Sequence, residues 1–121
     1  MPDYKIDLED KFGSLSLIDV GAEAAAVGDK WVNQTLTTVN ESAVRLGVVE
    51  GEFHWHKHDR EDEFFLVLDG ELEIEVEGRD PFVLGPQQGV TIPRGVMHRP
   101  IARSRTAILM VEPATVQPTG D

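Results

Sequence analysis

The chain has 121 residues, enough for one domain with a real core and too few for two. Its 22 acidic and 11 basic residues give a formal net charge of −11; such a surface repels phosphate backbones and anionic lipid, which argues against nucleic acid or membrane as a partner, and the acidity reads as a solubility device. Cysteine is absent, which excludes disulfides, thiolate metal sites and a thiol nucleophile.

The opening MPDYKIDLEDKF lacks the basic n-region and apolar h-region of a signal peptide, and no later run approaches the roughly 20 apolar residues of a membrane span. A cytoplasmic protein is the expectation. Helix is expected only near the N-terminus, as a turn or two over IDLEDKF (6 to 12), while AEAAAV (22 to 27) fits either a short helix or a loop. WVNQTLTTV and SAVRLGVV read as two strands around Asn40-Glu41. FFLVL (64 to 68) then runs into Asp69-Gly70, a tight-hairpin signal. In ELEIEVE (71 to 77), Leu72, Ile74 and Val76 alternate with four glutamates, the pattern of a half-buried antiparallel strand. FVL, VTI, VMHRPIA and TAILMVE follow as short strands, separated by Gly85-Pro86-Gln87-Gln88-Gly89, Pro93-Arg94-Gly95 and Arg103-Ser104. The tail PATVQPTGD is expected to be an extended strap. Many short strands with regular turn signals predict an all-β sandwich or small barrel. The expected layout is an N-terminal segment over 1–30 packed on a barrel of 31–113, with a strap over 114–121.

The four histidines fall in two patches, HWHKH (54 to 58) and PRGVMH, which ends at His98. Taken as a strand, HWHKH projects His54, His56 and His58 from one face and Trp55 and Lys57 from the other. A turn through Asp59-Arg60-Glu61-Asp62 then brings Glu63 beside His56 or His58. Buried imidazoles and a buried carboxylate are costly unless something satisfies them, and a divalent cation does so at once. The competing readings are a pH-sensing histidine cluster and a surface nickel-chelating pattern. In VTIPRGVMHRP, Pro93 and Gly95 make a rigid turn that holds His98 at a defined height.

Together the patches resemble the two motifs of the cupin superfamily. In GEFHWHKHDREDEFFLVLDG (51 to 70), His56, His58, Glu63 and Gly70 match the first motif, and Gly51 lies one residue too close to His56. PRGVMH (93 to 98) matches the second through His98; Gln87 stands at its leading glycine position and Ala102 at its trailing asparagine position. The resemblance implies a double-stranded β-helix, or jelly-roll, barrel with His56, His58, Glu63 and His98 as ligands of one divalent transition metal ion (Fe, Mn, Ni, Zn or Cu). In that pattern His54 is not a ligand; beside the site it would be a spare ligand, a proton shuttle or part of the pocket wall.

An open-site cation can polarise a carbonyl, stabilise an enediolate or bind dioxygen, so the expected activity is of isomerase, lyase or dioxygenase type on a small polar carbonyl or sugar-like substrate. His54 and Glu63 are the candidate proton carriers. Lys57 and Arg99 are out of phase with the histidines and are expected to point outward, which leaves Arg45 and Arg94 as the cations that could serve a phosphosugar. The alternative is a non-catalytic module that binds or senses a small molecule through the metal. A homodimer is also expected, because an apolar outer strand such as FFLVL gains by being covered.

Overall fold

The computed structural model describes residues 4–121. In chain order the elements are β1 (Lys5–Asp7), α1 (Val20–Ala25), β2 (Trp31–Val39), β3 (Ser42–Glu52), β4 (Glu63–Asp69), β5 (Leu72–Val76), β6 (Arg79–Leu84), β7 (Gly89–Ile92) and β8 (His98–Pro113). Strand order runs β1-β2-β3-β8-β4-β7, with β5 pairing with both β6 and β8. This is a jelly-roll barrel, and β8 is the strand its two sheets share. The first part of β8 pairs with β5 (Glu73 opposite Ile101), and the second pairs with β4 (Phe65 opposite Met110). VMHRPIA and TAILMVE are therefore one strand, turning a corner through the exposed Arg103, Ser104 and Arg105.

The Asp69-Gly70 hairpin does not form, because β4 and β5 do not pair with each other. Here the chain crosses from one sheet to the other. Gly70 lies at φ +93, and a Cβ there would come within 2.6 Å of Thr106 Oγ1. That hydroxyl accepts from Glu71 N and donates to Glu71 O. The glycine thus serves a close crossing at the β8 corner, a role that dipeptide statistics do not separate from a hairpin. The alternation of ELEIEVE holds, with Leu72, Ile74 and Val76 buried.

IDLEDKF forms no helix. Ile6 and Asp7 lie in β1, parallel to β2, and the Asp7 side chain accepts from Glu9 N, a local bond that competes with helical pairing. Lys11 and Phe12 then donate their backbone N–H groups to Thr35 and Leu36 on β2. Helix occurs instead at Val20–Ala25, capped by Asp19, whose carboxylate accepts from Ala22 N at 3.0 Å.

The N-terminal elements explain why β3 is buried on both faces over residues 45–49. Leu46 and Val48 join Leu36 in an outer cluster covered by Phe12, Ile18, Val20 and Ala24. Val49 faces the barrel interior with Trp31, Phe53, Phe65, Val67, Ile74 and Ile108. Each fully buried Leu, Val or Phe contributes about 1.5–3 kcal/mol, so the two clusters hold β3 from both sides.

Candidate metal centre

His56, His58, Glu63 and His98 are all buried, and each offers a ligand atom within 4.8 Å of the others'. HWHKH is not a strand: β3 ends at Glu52, and residues 53–62 form a loop held on β8 by Phe53 N, which donates to the Pro100 carbonyl, and by an isolated bridge between His56 and His98. Because the alternation lapses, Phe53 is buried in the core and His54 is exposed. The expectation that all three histidines share an interior face is corrected here. The His54 ring lies 5.5 Å from that of His56, with Nε2 2.6 Å from the carbonyl of Thr119. Trp55 is also outside, under the guanidinium of Arg99, which pairs with Glu75.

Two of the imidazoles are oriented by backbone. His56 Nδ1 lies 3.0 Å from the His54 carbonyl, and His98 Nδ1 lies 2.9 Å from the Val96 carbonyl. A carbonyl only accepts, so each Nδ1 carries the proton and each Nε2 keeps a lone pair. Gly95, at φ +79, donates its N–H to the His58 carbonyl and ties the Pro93 turn to the histidine loop. Glu63 enters on β4, with Oε1 3.3 Å from His98 Nε2 and 3.5 Å from His58 Nε2. Neither ring nitrogen of His58 has a hydrogen-bond partner among the described residues. Orphaned nitrogens in a buried cluster of three imidazoles and a carboxylate are what a divalent ion would satisfy. The donor set therefore fits a metal.

The electrostatics agree. Burial pushes His56 down to about 4, with His98 adding to the effect, so this imidazole is neutral at physiological pH. Burial also opposes the charged form of His58, but Glu63 overrides it and raises His58 above its ordinary value. Burial would raise Glu63 as well, yet His58 and His98 hold it down at about 2. Glu61 and Asp121 place carboxylate oxygens beside His58, all within 4.8 Å of one another.

Residues that pattern-reading passed over complete the site. The strap closes on the histidine loop: Asp121 N donates to the Lys57 carbonyl, Asp59 N donates to Asp121 Oδ2, and Gly120 packs on His56. The root of the strap is held by Arg45, which donates to the carbonyls of Ala114 and Val116 and to Thr35 Oγ1. Arg45 also lies 3.4 Å from Glu112, and both side chains are buried. Burial, then the nearby Glu63 carboxylate, pushes Glu112 up to about 9 against the pull of Arg45. This commitment removes Arg45 from the list of phosphate ligands. Arg94 lines a separate surface cleft with Arg60 and Asp62. The ligand cluster opens instead onto a cleft lined by His56 and Glu63, by Trp31, Val49, Phe53, Phe65 and Met110, by Asn33 on β2 and by Pro118 of the strap.

A jelly-roll barrel with three histidines and a glutamate at its centre is the architecture of a small metal-site barrel. The comparisons give it a family. The model of the cupin domain matches residues 43–112, and the chain belongs to the cupin family. It is 41% identical over 91 residues to the "uncharacterized protein YdbB" of Bacillus subtilis (strain 168), covering 75% of this chain and 80% of that protein. A cupin-2 domain containing protein from Shewanella frigidimarina NCIMB 400 superposes with a TM-score of 0.76 at 31% identity, covering 80% of this chain and 94% of that one. KdgF from Halomonas sp. shares the fold at a TM-score of 0.61 and 22% identity, over 72% of this chain and 83% of its own. A Ralstonia eutropha JMP134 protein described as a candidate mannose-6-phosphate isomerase does so at 0.70 and 21%, over 81% and 97%.

Proposed function

We propose that the chain is a metal-dependent cupin enzyme of isomerase, lyase or dioxygenase type, acting on a small polar carbonyl or sugar-like molecule. The observation that carries this reading is that the cluster of His56, His58, Glu63 and His98 is buried yet opens onto a cleft. These four residues would hold one divalent ion of Fe, Mn, Ni, Zn or Cu. Such an ion supplies Lewis acidity towards a carbonyl, or a place for dioxygen. The chain's own contribution is orientation and dryness: Phe53, Phe65 and Met110 exclude water from one side of the cleft, and Asn33 offers an amide. Glu63 is the candidate proton carrier at the reacting end, a role open to it only when its carboxylate leaves the ion. Any relay through His54 has to run through His56, whose Nδ1 faces the His54 carbonyl and not its ring.

The sparse supply of proton-moving groups on the cleft wall is the feature that favours the second reading, a non-catalytic module that binds a small molecule. The two separate in one panel, in which the metal-loaded protein is incubated with small oxo acids and unphosphorylated sugars. Metal-dependent conversion of any member supports the enzyme; binding of several with no conversion supports the module.

Among the described residues no helix is long and apolar enough to cross a membrane. Residence in the cytoplasm is part of the proposal, as is a homodimer, for which the wholly exposed Leu15 and Leu17 of the N-terminal segment are support. A monomeric mass by light scattering overturns the dimer.

A further inference from the structure

The chain carries 22 acidic residues against 11 basic ones, so a guanidinium with no carboxylate beside it stands out. Among the described residues the side chains of Arg60 and Arg94 make neither an ion pair nor a hydrogen bond, and both line one surface cleft. Every other lysine and arginine is engaged. Most pair with a carboxylate, Arg79 lies over the Phe82 ring, and Arg105 donates to the Ala24 carbonyl.

The cleft has a volume of about 360 Å³, within the range of small-molecule sites. Its floor is a cross-strand row on the outer face of the barrel, where Phe64 pairs with Thr91 of β7 on one side and Val111 of β8 on the other. Ser42 and Thr91 add hydroxyls at its edges. Two acids also border it. Asp62 accepts from Arg94 N through Oδ1 and offsets one of the two positive charges. Glu112 keeps both carboxyl oxygens buried beside Arg45, 3.4 Å away, and turns no charge into the cleft. The balance is positive, in a molecule of net charge −11.

The two arginines also ride on the segments that carry the histidines. Arg60 follows His58 by two residues in the loop, and Arg94 sits in the turn that leads to His98. Two bonds already stitch loop to turn, from Arg94 N to Asp62 Oδ1 at 2.9 Å and from Gly95 N to the His58 carbonyl at 2.8 Å. An anion held by both guanidinium groups would tie the same segments again. Each guanidinium can give two parallel N–H bonds to an oxyanion. A phosphate monoester brings three acceptor oxygens and close to two negative charges at neutral pH, enough for both forks, where one carboxylate brings two oxygens and a single charge.

We propose that this cleft binds the phosphate of a small phosphate monoester between Arg60 and Arg94, with its body over Phe64 and Val111, and that the bound anion clamps the histidine loop to the Pro93 turn. Nothing in the clamp needs the metal, so metal-free protein tests it and no ion can hold the phosphate.

The full-length metal-free chain is titrated by calorimetry with glycerol 3-phosphate, inorganic phosphate, succinate and glycerol. Glycerol 3-phosphate should bind at one per chain and more tightly than the other three. Arg60→Gln and Arg94→Gln should each weaken it about tenfold or more, the effect of losing a charged hydrogen-bond donor. Both variants should melt as the wild type does, since neither side chain has a partner in the fold to lose. Arg79→Gln, outside the cleft, should bind as the wild type. Saturating glycerol 3-phosphate should slow hydrogen exchange at the Gly95 amide in the wild type and leave it unchanged in Arg94→Gln. No binding of glycerol 3-phosphate, or binding that survives in both cleft variants, overturns the site. Equal binding of succinate overturns the phosphate assignment, and equal binding of inorganic phosphate overturns the monoester. Unchanged exchange at Gly95 in the saturated wild type overturns the clamp. Each of these failures leaves the metal reading standing, because no metal is present in the experiment.

Discussion

Replacing Gly120 by alanine asks whether the C-terminal strap holds the proposed metal ligands in place. Gly120 sits at φ +98, and an added Cβ would lie 2.7 Å from His56 Cβ. The backbone conformation alone costs a non-glycine residue about 1–3 kcal/mol. The contact adds to this, because two carbons are at ease only at about 3.5–4.0 Å and neither Cβ can rotate away. Against this stand the three hydrogen bonds that tie the end of the strap, residues 119–121, to the loop, at Thr119, Lys57 and Asp59. Each is worth about 0.5–1.5 kcal/mol net. The cost matches the grip, so in Gly120→Ala the end of the strap should leave the loop, or His56 should shift. Losses of support around a ligand typically lower metal affinity about 10–100-fold. The assay is chelator competition with Zn(II), with melting curves run alongside. Gly78→Ala is the control, since Gly78 has φ +84 and open space where its Cβ would go; it should lose stability and keep wild-type affinity. Wild-type affinity in Gly120→Ala, or an equal loss in Gly78→Ala, would refute the reasoning.

Other consequences follow from the charges. His58 and Glu112 both have raised values in the fold, so between its ordinary and its raised value each group binds more protons folded than unfolded. Metal-free protein should therefore lose thermal stability as pH rises from about 6 to about 9, and metal-loaded protein should show a flatter profile. Glu63 works in the opposite sense: it is held at about 2, so its contribution is present at neutral pH and is lost as pH falls below its ordinary 4.5. Metal affinity should climb as pH rises through the range above about 6.5, where His58 gives up its proton, and level off thereafter; a flat affinity profile would contradict this. Arg45→Met should lower stability by about 3–5 kcal/mol, because Thr35 Oγ1 and the Ala114 and Val116 carbonyls lose their buried donor and the strap its anchor. The double variant Arg45→Met, Glu112→Met should recover part of that loss in denaturant melts.

How much was legible in the residues depended on whether a signal was local. β2, β3 and β5 follow from alternation and turn residues, and the gathering of His56, His58, Glu63 and His98 from two spaced motifs. Glycine positions in those motifs have a physical reading in the fold, since Gly70 and Gly95 both lie at positive φ. At the second motif's leading glycine position Gln87 adopts φ +69, so the departure in sequence leaves the backbone conformation in place. What escaped was long-range. The crossing at Gly70 depends on Thr106, the burial of Arg45 depends on Glu112 and the strap, and the exposure of His54 depends on β3 ending at Glu52.

The most direct test of the central claim is a divalent-metal titration of metal-free wild-type protein and of His98→Ala, followed by calorimetry and thermal melting. The account predicts one ion per wild-type chain with a rise in melting temperature, and at least a 100-fold loss of affinity in a folded His98→Ala. A wild-type chain that binds no ion, or a His98→Ala variant that binds as the wild type does, would contradict it.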